Sequence, residues 1–207
     1  MSDLALLIGS KNYSSWSLRP WLMLRQSGLP FSEECVALRS PEFAERVRAW
    51  SPAGKVPVLR HGKRVIWDSL AIGEYLAETF PERGLWPRDP GLRAEARAVA
   101  AEMHSGFLAL RSQMPMNIRV RRTARPTPEL DADLSRVKAI FAAARGPFLF
   151  GEFSIADAMY GPVAFRFQTY GVRDDYAESL LKLPALREWA EAAQHERDRV
   201  PEYDAWD

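Results

Sequence analysis

The sequence predicts a small α/β domain joined by a short linker to an all-helical domain. Three observations carry this prediction. Strand and helix signals alternate through residue 80, a stretch with three prolines and a glycine follows at 81–90, and strand signals nearly vanish beyond it. The 207 residues are 47% hydrophobic and 27% charged, a balance that lets a chain of this length bury a core without disulfides or metal.

The first apolar run, residues 4–8, is closed by Gly9-Ser10 and suits a buried strand. Leu18, Trp21, Leu22, Leu24 and Arg25 then recur at helical spacing up to the stop Gly28-Leu29-Pro30. Residues 31–38 alternate as a second strand carrying Cys35, which reads as a small buried thiol. Ser40-Pro41 opens a short helix running to about residue 49. Residues 56–60 and 64–67 form a hairpin about His61-Gly62-Lys63, and Asp68-Ser69 starts a helix that Pro81 ends. The first two strands flank a crossover helix and should be parallel, whereas the last two should be antiparallel. Past the linker, helices are expected over 92–120, 129–144, 154–170 and 184–195. The expected division is residues 1–81, a linker at 82–90, and a helical domain at 91–207.

Composition narrows the function. A formal net charge of +1 points to neither nucleic acid nor an anionic membrane. The single Cys35 excludes an internal disulfide or a multi-cysteine zinc site, and the three histidines (His61, His104, His195) show no metal-ligand spacing. The N-terminus has no basic start or cleavage site of a signal peptide, and its apolar run stops far short of a membrane span. A cytoplasmic protein without metal is expected.

Three constellations can carry chemistry. At Val56-Pro57, a cis bond would present the Val56 backbone N–H and C=O to a peptide ligand pairing as an added strand; a trans proline at a strand start is the plainer alternative. At Asp68-Ser69, free helix N–H groups attract a carboxylate while Asp68 lies near an amino group; ordinary capping is the alternative. The turn Asn12-Tyr13-Ser14-Ser15-Trp16-Ser17 puts hydroxyls at a helix N-terminus, where a thiolate is stabilised; a cap or serine turn is the alternative.

Together these pieces resemble the cytosolic glutathione transferases. The resemblance rests on Ser14-Ser15-Trp16-Ser17-Leu18-Arg19, Lys55-Val56-Pro57-Val58-Leu59 and Trp67-Asp68-Ser69-Leu70-Ala71-Ile72. It implies a thioredoxin-like N-terminal domain followed by an all-α domain, with glutathione as co-substrate and no metal. It further implies a cis Pro57, glutathione binding at Lys55, Val56, Pro57, Asp68 and Ser69, and thiol activation by Ser14 with Ser15 as its neighbour. Homodimerisation through the helices near 69–80 and 91–110 is implied as well. Gly151-Glu152-Phe153-Ser154-Ile155-Ala156-Asp157 is similar to the family's buried capping box, with Ser154 and Asp157 satisfying each other's helix-end groups.

The serine motif is nearest the zeta class, whose signature is Ser-Ser-Cys-x-Trp-Arg and whose known activity is cis–trans isomerisation of maleylacetoacetate. Trp16 stands where that class has cysteine and Leu18 where it has tryptophan. Its substrate-carboxylate arginine aligns with Thr169, with Arg166 one helical turn earlier. The expected function is therefore activation of the glutathione thiol for attack on a small apolar electrophile. Isomerisation of the maleylacetoacetate type, or glutathione binding without catalysis, are the alternatives. Met103, His104, Phe107 and Arg111, spaced along one long helix, are the pocket candidates together with Arg166. Core packing competes for that face. The basic run 119–125 reads as a solvated helix end.

Overall fold

The structure, a computed structural model, describes residues 3–204. Strand β1 (Leu4–Gly9) is central in a four-stranded sheet of order β2-β1-β3-β4, with β2 at Ser32–Val36, β3 at Val58–His61 and β4 at Arg64–Ile66. It pairs parallel with β2 (Leu6 opposite Glu33) and antiparallel with β3 (Leu6 opposite Leu59), while β3 and β4 form the hairpin. The β1 run is apolar throughout because both of its faces are covered. Leu4, Leu6 and Ile8 point into the main core; Leu7 points the other way, into a small cluster with Val36, Val47 and Val58. Helix α2 (Phe43–Trp50) covers that second face.

Helices α1 (Ser15–Ser27) and α3 (Ser69–Thr79) sit on the main-core side of the sheet. The helical half follows: α4 (Pro90–Ser105), α5 (Leu108–Gln113), α6 (Pro128–Ala142), α7 (Ile155–Tyr170), α8 (Asp175–Leu181), α9 (Pro184–His195) and the single turn α10 (Pro201–Asp204). Every α7 residue except Gln168 is buried, and its polar members Asp157, Arg166 and Thr169 find hydrogen-bond partners inside the protein. It packs against α1, α4 and α8, and Gly161 is where α1 comes closest: a Cβ there would lie 3.0 Å from Leu22 Cδ2. One hydrophobic core thus runs from the sheet through α1 into the helical half.

Three expectations change. The helix expected over 92–120 breaks after Ser105, with Phe107 at φ 58° between α4 and α5. The Arg111 guanidinium makes the corner possible by donating to the carbonyls of Met103, His104 (3.1 Å) and Gly106 (2.8 Å), which satisfies the helix end. The run 119–125 is not helical, and Arg119 and Arg122 bind backbone carbonyls of the C-terminal segment. Cys35 is exposed rather than buried, because β2 is an edge strand. Desolvation at the sulfur, then the Glu196 carboxylate, pushes its thiol up to about 12, the opposite of an activated cysteine.

The α4–α5 corner gives a direct prediction. A Cβ at Gly106 would stand 2.9 Å from the backbone oxygen of Glu102, which cannot swing aside as a side chain would. Gly106→Ala should cost about 1–3 kcal/mol of stability through this overpacking. An unchanged urea midpoint would show that the corner has slack.

Among the described residues no helix is long and apolar enough to cross a membrane, and no cluster of His, Cys, Asp and Glu could hold a metal ion.

Candidate functional site

The turn from β1 into α1 is tight: the N–H groups of Tyr13 (3.1 Å) and Ser14 (2.8 Å) both bond to the Ser10 carbonyl. This brings Ser14 to the N-cap of α1, where its Oγ accepts from the Ser17 amide (3.4 Å) and lies 2.7 Å from Ser17 Oγ. Ser17 is in turn held by the Gly9 amide (3.0 Å). Ser15 Oγ accepts instead from Arg166 Nη2 at 3.2 Å. Both Ser14 and Ser15 line a cavity of about 440 Å³ at the positive end of α1.

Val56 lines the same cavity, and the Val56–Pro57 peptide bond is cis. Among the described residues nothing pairs with the Val56 amide or carbonyl, so both remain available to an extended peptide. Asp68 caps α3 through Leu70 N (3.0 Å) and Ala71 N (3.4 Å), and its second oxygen lies 3.1 Å from His104 Nε2. Ser69 Oγ is buried without a partner, an orphaned donor that suits a ligand carboxylate. Pro57 is buried behind Val56, Lys55 is exposed, and neither lines the cavity. Neither Asp68 nor Ser69 lines the cavity, and Ser69 is fully buried.

Three arginines surround the other side. Arg111 and Arg166 line the cavity, and Arg19 lies behind it with only 1% of its surface exposed. Among the described residues none of them forms an ion pair with a carboxylate. Burial, then the neighbouring Arg111, pulls the Arg166 guanidinium down to about 10. Burial, followed by Arg111 and Arg166, holds Arg19 well below its usual value. Arg19 Nε and Nη1 have no hydrogen-bond partner. Trp16 organises the cluster: the guanidinium carbons of Arg19 and Arg111 lie 4.3 and 4.9 Å from its ring centroid, and His104 meets it edge-on at 5.4 Å. The side of the cavity facing the serines is therefore electropositive.

The structure gathers Ser14, Ser15, Val56, Arg111 and Arg166 around one cavity. It does not bring Met103, His104 or Phe107 to the wall. Met103 and Phe107 are core residues, Phe107 against the Tyr160 ring at 6.2 Å, because the break at Gly106 turns the expected helix face inward. His104 is occupied by Asp68 and Trp16. Thr169 is buried, with Oγ1 donating to the Asn117 carbonyl (2.9 Å), so the α7 residue that reaches the cavity is Arg166. Residues the sequence reading missed are Tyr13 and Tyr203 on the wall, Trp16 as the arginine platform, and Arg19. Arg19 was visible as the last residue of the serine motif. Tyr203 is distant in sequence and carried no signal.

Comparison with known proteins agrees with this geometry. The family model described as the glutathione S-transferase N-terminal domain matches residues 13–79, and the model for the C-terminal domain of the same family matches 122–192. A probable maleylacetoacetate isomerase of Caenorhabditis elegans is 40% identical over 96 residues, covering 46% of this chain. That match takes in 44% of the nematode protein, so the chain spans less than half of this relative. A maleyl pyruvate isomerase, a bacterial zeta-class glutathione S-transferase, superposes with a TM-score of 0.70 at 25% identity over 93% of this chain and 99% of that one. A Burkholderia glutathione transferase homologue solved with bound glutathione gives a TM-score of 0.71 at 22% identity, over 93% and 99% of the two chains. With both of its halves matched by models of one family, and the serine turn and the residue before the cis proline arranged about one cavity, the chain belongs to the glutathione S-transferase family.

Proposed function

We propose that this chain binds glutathione and directs its thiol onto a small unsaturated electrophile that carries a carboxylate. Residues 1–81 would hold glutathione and residues 91–207 the electrophile, in a cytoplasmic homodimer. The observation that carries the reading is the placement of Arg166: a buried guanidinium without an anionic partner, 3.2 Å from Ser15 Oγ at the cavity wall. Among the readings open from the sequence, this favours isomerisation of the maleylacetoacetate type, or conjugation of a similar acid, over conjugation of a wholly apolar electrophile.

Glutathione supplies the nucleophilic sulfur. Val56 pairs with its backbone as a neighbouring strand would, and Ser69 donates to its γ-glutamyl carboxylate beside Asp68. Ser15 accepts from Arg166, which leaves the Ser15 proton free to point at the sulfur. Ser14 is engaged with Ser17 and chiefly organises the turn. The α1 dipole adds to stabilisation of the thiolate. Arg111 and Arg166 hold the substrate carboxylate, so that charge developing on addition lies in a positive field.

Ultraviolet difference absorbance of bound glutathione tests this reading. The thiol pKa should fall below its ordinary value near 8.5, into the range of roughly 3.5–7.5 found at helix N-termini. An unshifted thiol would sink the proposal. Ser15→Ala should raise the bound pKa more than Ser14→Ala, which should mainly lose about 0.5–2 kcal/mol of cap stability. Maleylacetone isomerisation compared with conjugation of an uncharged aromatic halide would separate the two chemistries.

A further inference from the structure

After α9 the chain does not trail into solvent. It turns back across the serine turn and clasps it. Glu196 Oε1 accepts from the Lys11 amide (2.5 Å) and Oε2 from the Asn12 amide (2.9 Å), the two amides just ahead of Tyr13-Ser14. Asp198 accepts from Ser10 Oγ (3.2 Å), and the Asp204 carboxylate accepts from the Tyr13 hydroxyl (2.8 and 2.9 Å) and from Asn117 Nδ2 (2.9 Å). Arg119 locks the segment from outside, donating to the carbonyls of Glu196 (2.8 Å) and Asp198 (2.9 Å) and to the Tyr13 hydroxyl (2.8 Å). Val200 is fully buried, and Tyr203 lies against Tyr13 with ring centroids 5.7 Å apart, forming part of the cavity wall.

We propose that segment 196–204 is a working part of the catalytic site: Glu196 is a positioning residue for the serine turn, and Tyr203 shapes the electrophile end of the cavity. This rests on the glutathione-dependent reading above. The reason lies in the turn itself. Ser14 and Ser15 can serve a sulfur only if the preceding peptide groups are fixed. The Lys11 and Asn12 amides belong neither to the sheet nor to α1, and the Glu196 carboxylate is what fixes them. A carboxylate on two adjacent N–H groups is a charge-assisted clamp, stronger than neutral bonds. Tyr203 occupies the cavity through the same clasp, so electrophile binding and turn geometry are coupled by one segment.

Two measurements on the full chain test the proposal. The first is amide hydrogen exchange, which needs no substrate. Glu196→Ala should speed exchange at Lys11 and Asn12 by about tenfold, the scale of losing a hydrogen bond to a charged group, with α7 protection unchanged. The second is steady-state kinetics. Glu196→Ala should lower kcat by roughly 10–100-fold, as misplacement on the ångström scale does, with little change in KM for glutathione. Glu196→Gln, which keeps one acceptor oxygen, should recover part of that loss. Tyr203→Ala should raise KM for the electrophile, by an amount that differs between a short and a long substrate, and leave KM for glutathione unchanged.

Unchanged exchange at Lys11 and Asn12 overturns the clasp. Faster exchange with kcat intact overturns its role in catalysis. Tyr203→Ala with the same KM for both electrophiles removes Tyr203 from the site. If the parent chain binds no glutathione, the proposed function fails and the catalytic role with it, and exchange still decides whether Glu196 holds the turn.

Discussion

Arg166→Met is expected to lower kcat/KM for a carboxylate-bearing electrophile by about 10–100-fold while leaving KM for glutathione within about twofold. The magnitude follows from a hydrogen bond between charged groups, about 1.5–3 kcal/mol, taken at about 1.4 kcal/mol per factor of ten. Arg166 is 5% exposed and donates to the Met114 carbonyl and to Ser15 Oγ, so a methionine fills much of its volume but returns no charge. An uncharged electrophile should lose far less. Equal losses for charged and uncharged substrates would show that the guanidinium does not meet the carboxylate and acts only through Ser15.

Arg166→Lys makes the same point through pH. Burial, reinforced by Arg111, already pulls the Arg166 guanidinium down to about 10, and it remains a cation at neutral pH. A lysine starts lower, at about 10.4, and its ammonium pays more for desolvation. A cation whose pKa is depressed loses its charge as pH rises through the lowered value. Activity of Arg166→Lys should therefore decline between neutral and mildly alkaline pH, where the parent stays flat. A pH–rate profile of both proteins checks this.

Much of the fold was legible because local signals and burial agree. The β1 run, Gly28 closing α1, the His61-Gly62-Lys63 hairpin and the caps at Asp68 and Ser154 all mark element ends with short-range chemistry. The α4–α5 break was not legible. Phe107 takes a left-handed conformation that its residue type does not signal, at a corner held by the Arg111 guanidinium over the α4 end and by the Asp133 carboxylate, which accepts from the Leu110 amide (2.9 Å). With the break, Met103 and Phe107 lie in the core and Arg111 on the wall. The serine turn and Val56 were readable because each sits at a fixed place in the order of elements. Arg111 and Arg166 stood among the pocket candidates, but their convergence with Arg19 was not readable: the three are scattered over the sequence, and Trp16 holds two of them only once α1 and the α4–α5 corner are packed. The C-terminal clasp was invisible for the same reason, since Glu196 and Lys11 stand 185 positions apart.

Asp157→Ala should cost about 2–6 kcal/mol, enough to unfold a marginal domain, because the carboxylate serves two buried backbone donors whose loss costs about 1–3 kcal/mol each. Oδ1 accepts from the Leu149 amide (2.8 Å) and the Tyr176 hydroxyl; Oδ2 accepts from the Ser154 amide (2.7 Å) and its hydroxyl (2.8 Å). The group is thus more than the reciprocal cap expected from Ser154 and Asp157, since it also ties the loop at Leu149 and helix α8 to the start of α7. Asp157→Asn should cost about 1–3 kcal/mol, because either orientation of the amide turns an NH2 toward one of the two backbone donors, whereas the hydroxyls can rotate to accept. Burial raises the Asp157 pKa above its ordinary 3.8 in spite of the Tyr176, Leu149 and Ser154 bonds, so the folded state binds this proton more tightly than the unfolded chain does. Its titration therefore contributes stability that is fully present below the ordinary value and is lost as pH climbs through the raised one. Asp157→Asn should remove that slope. Urea unfolding of parent, Asn and Ala variants across the acid range, at constant m, measures both effects; an Ala variant within 1 kcal/mol of the parent, an order-of-magnitude threshold of about one hydrogen bond, would mean that water replaces the carboxylate at no cost.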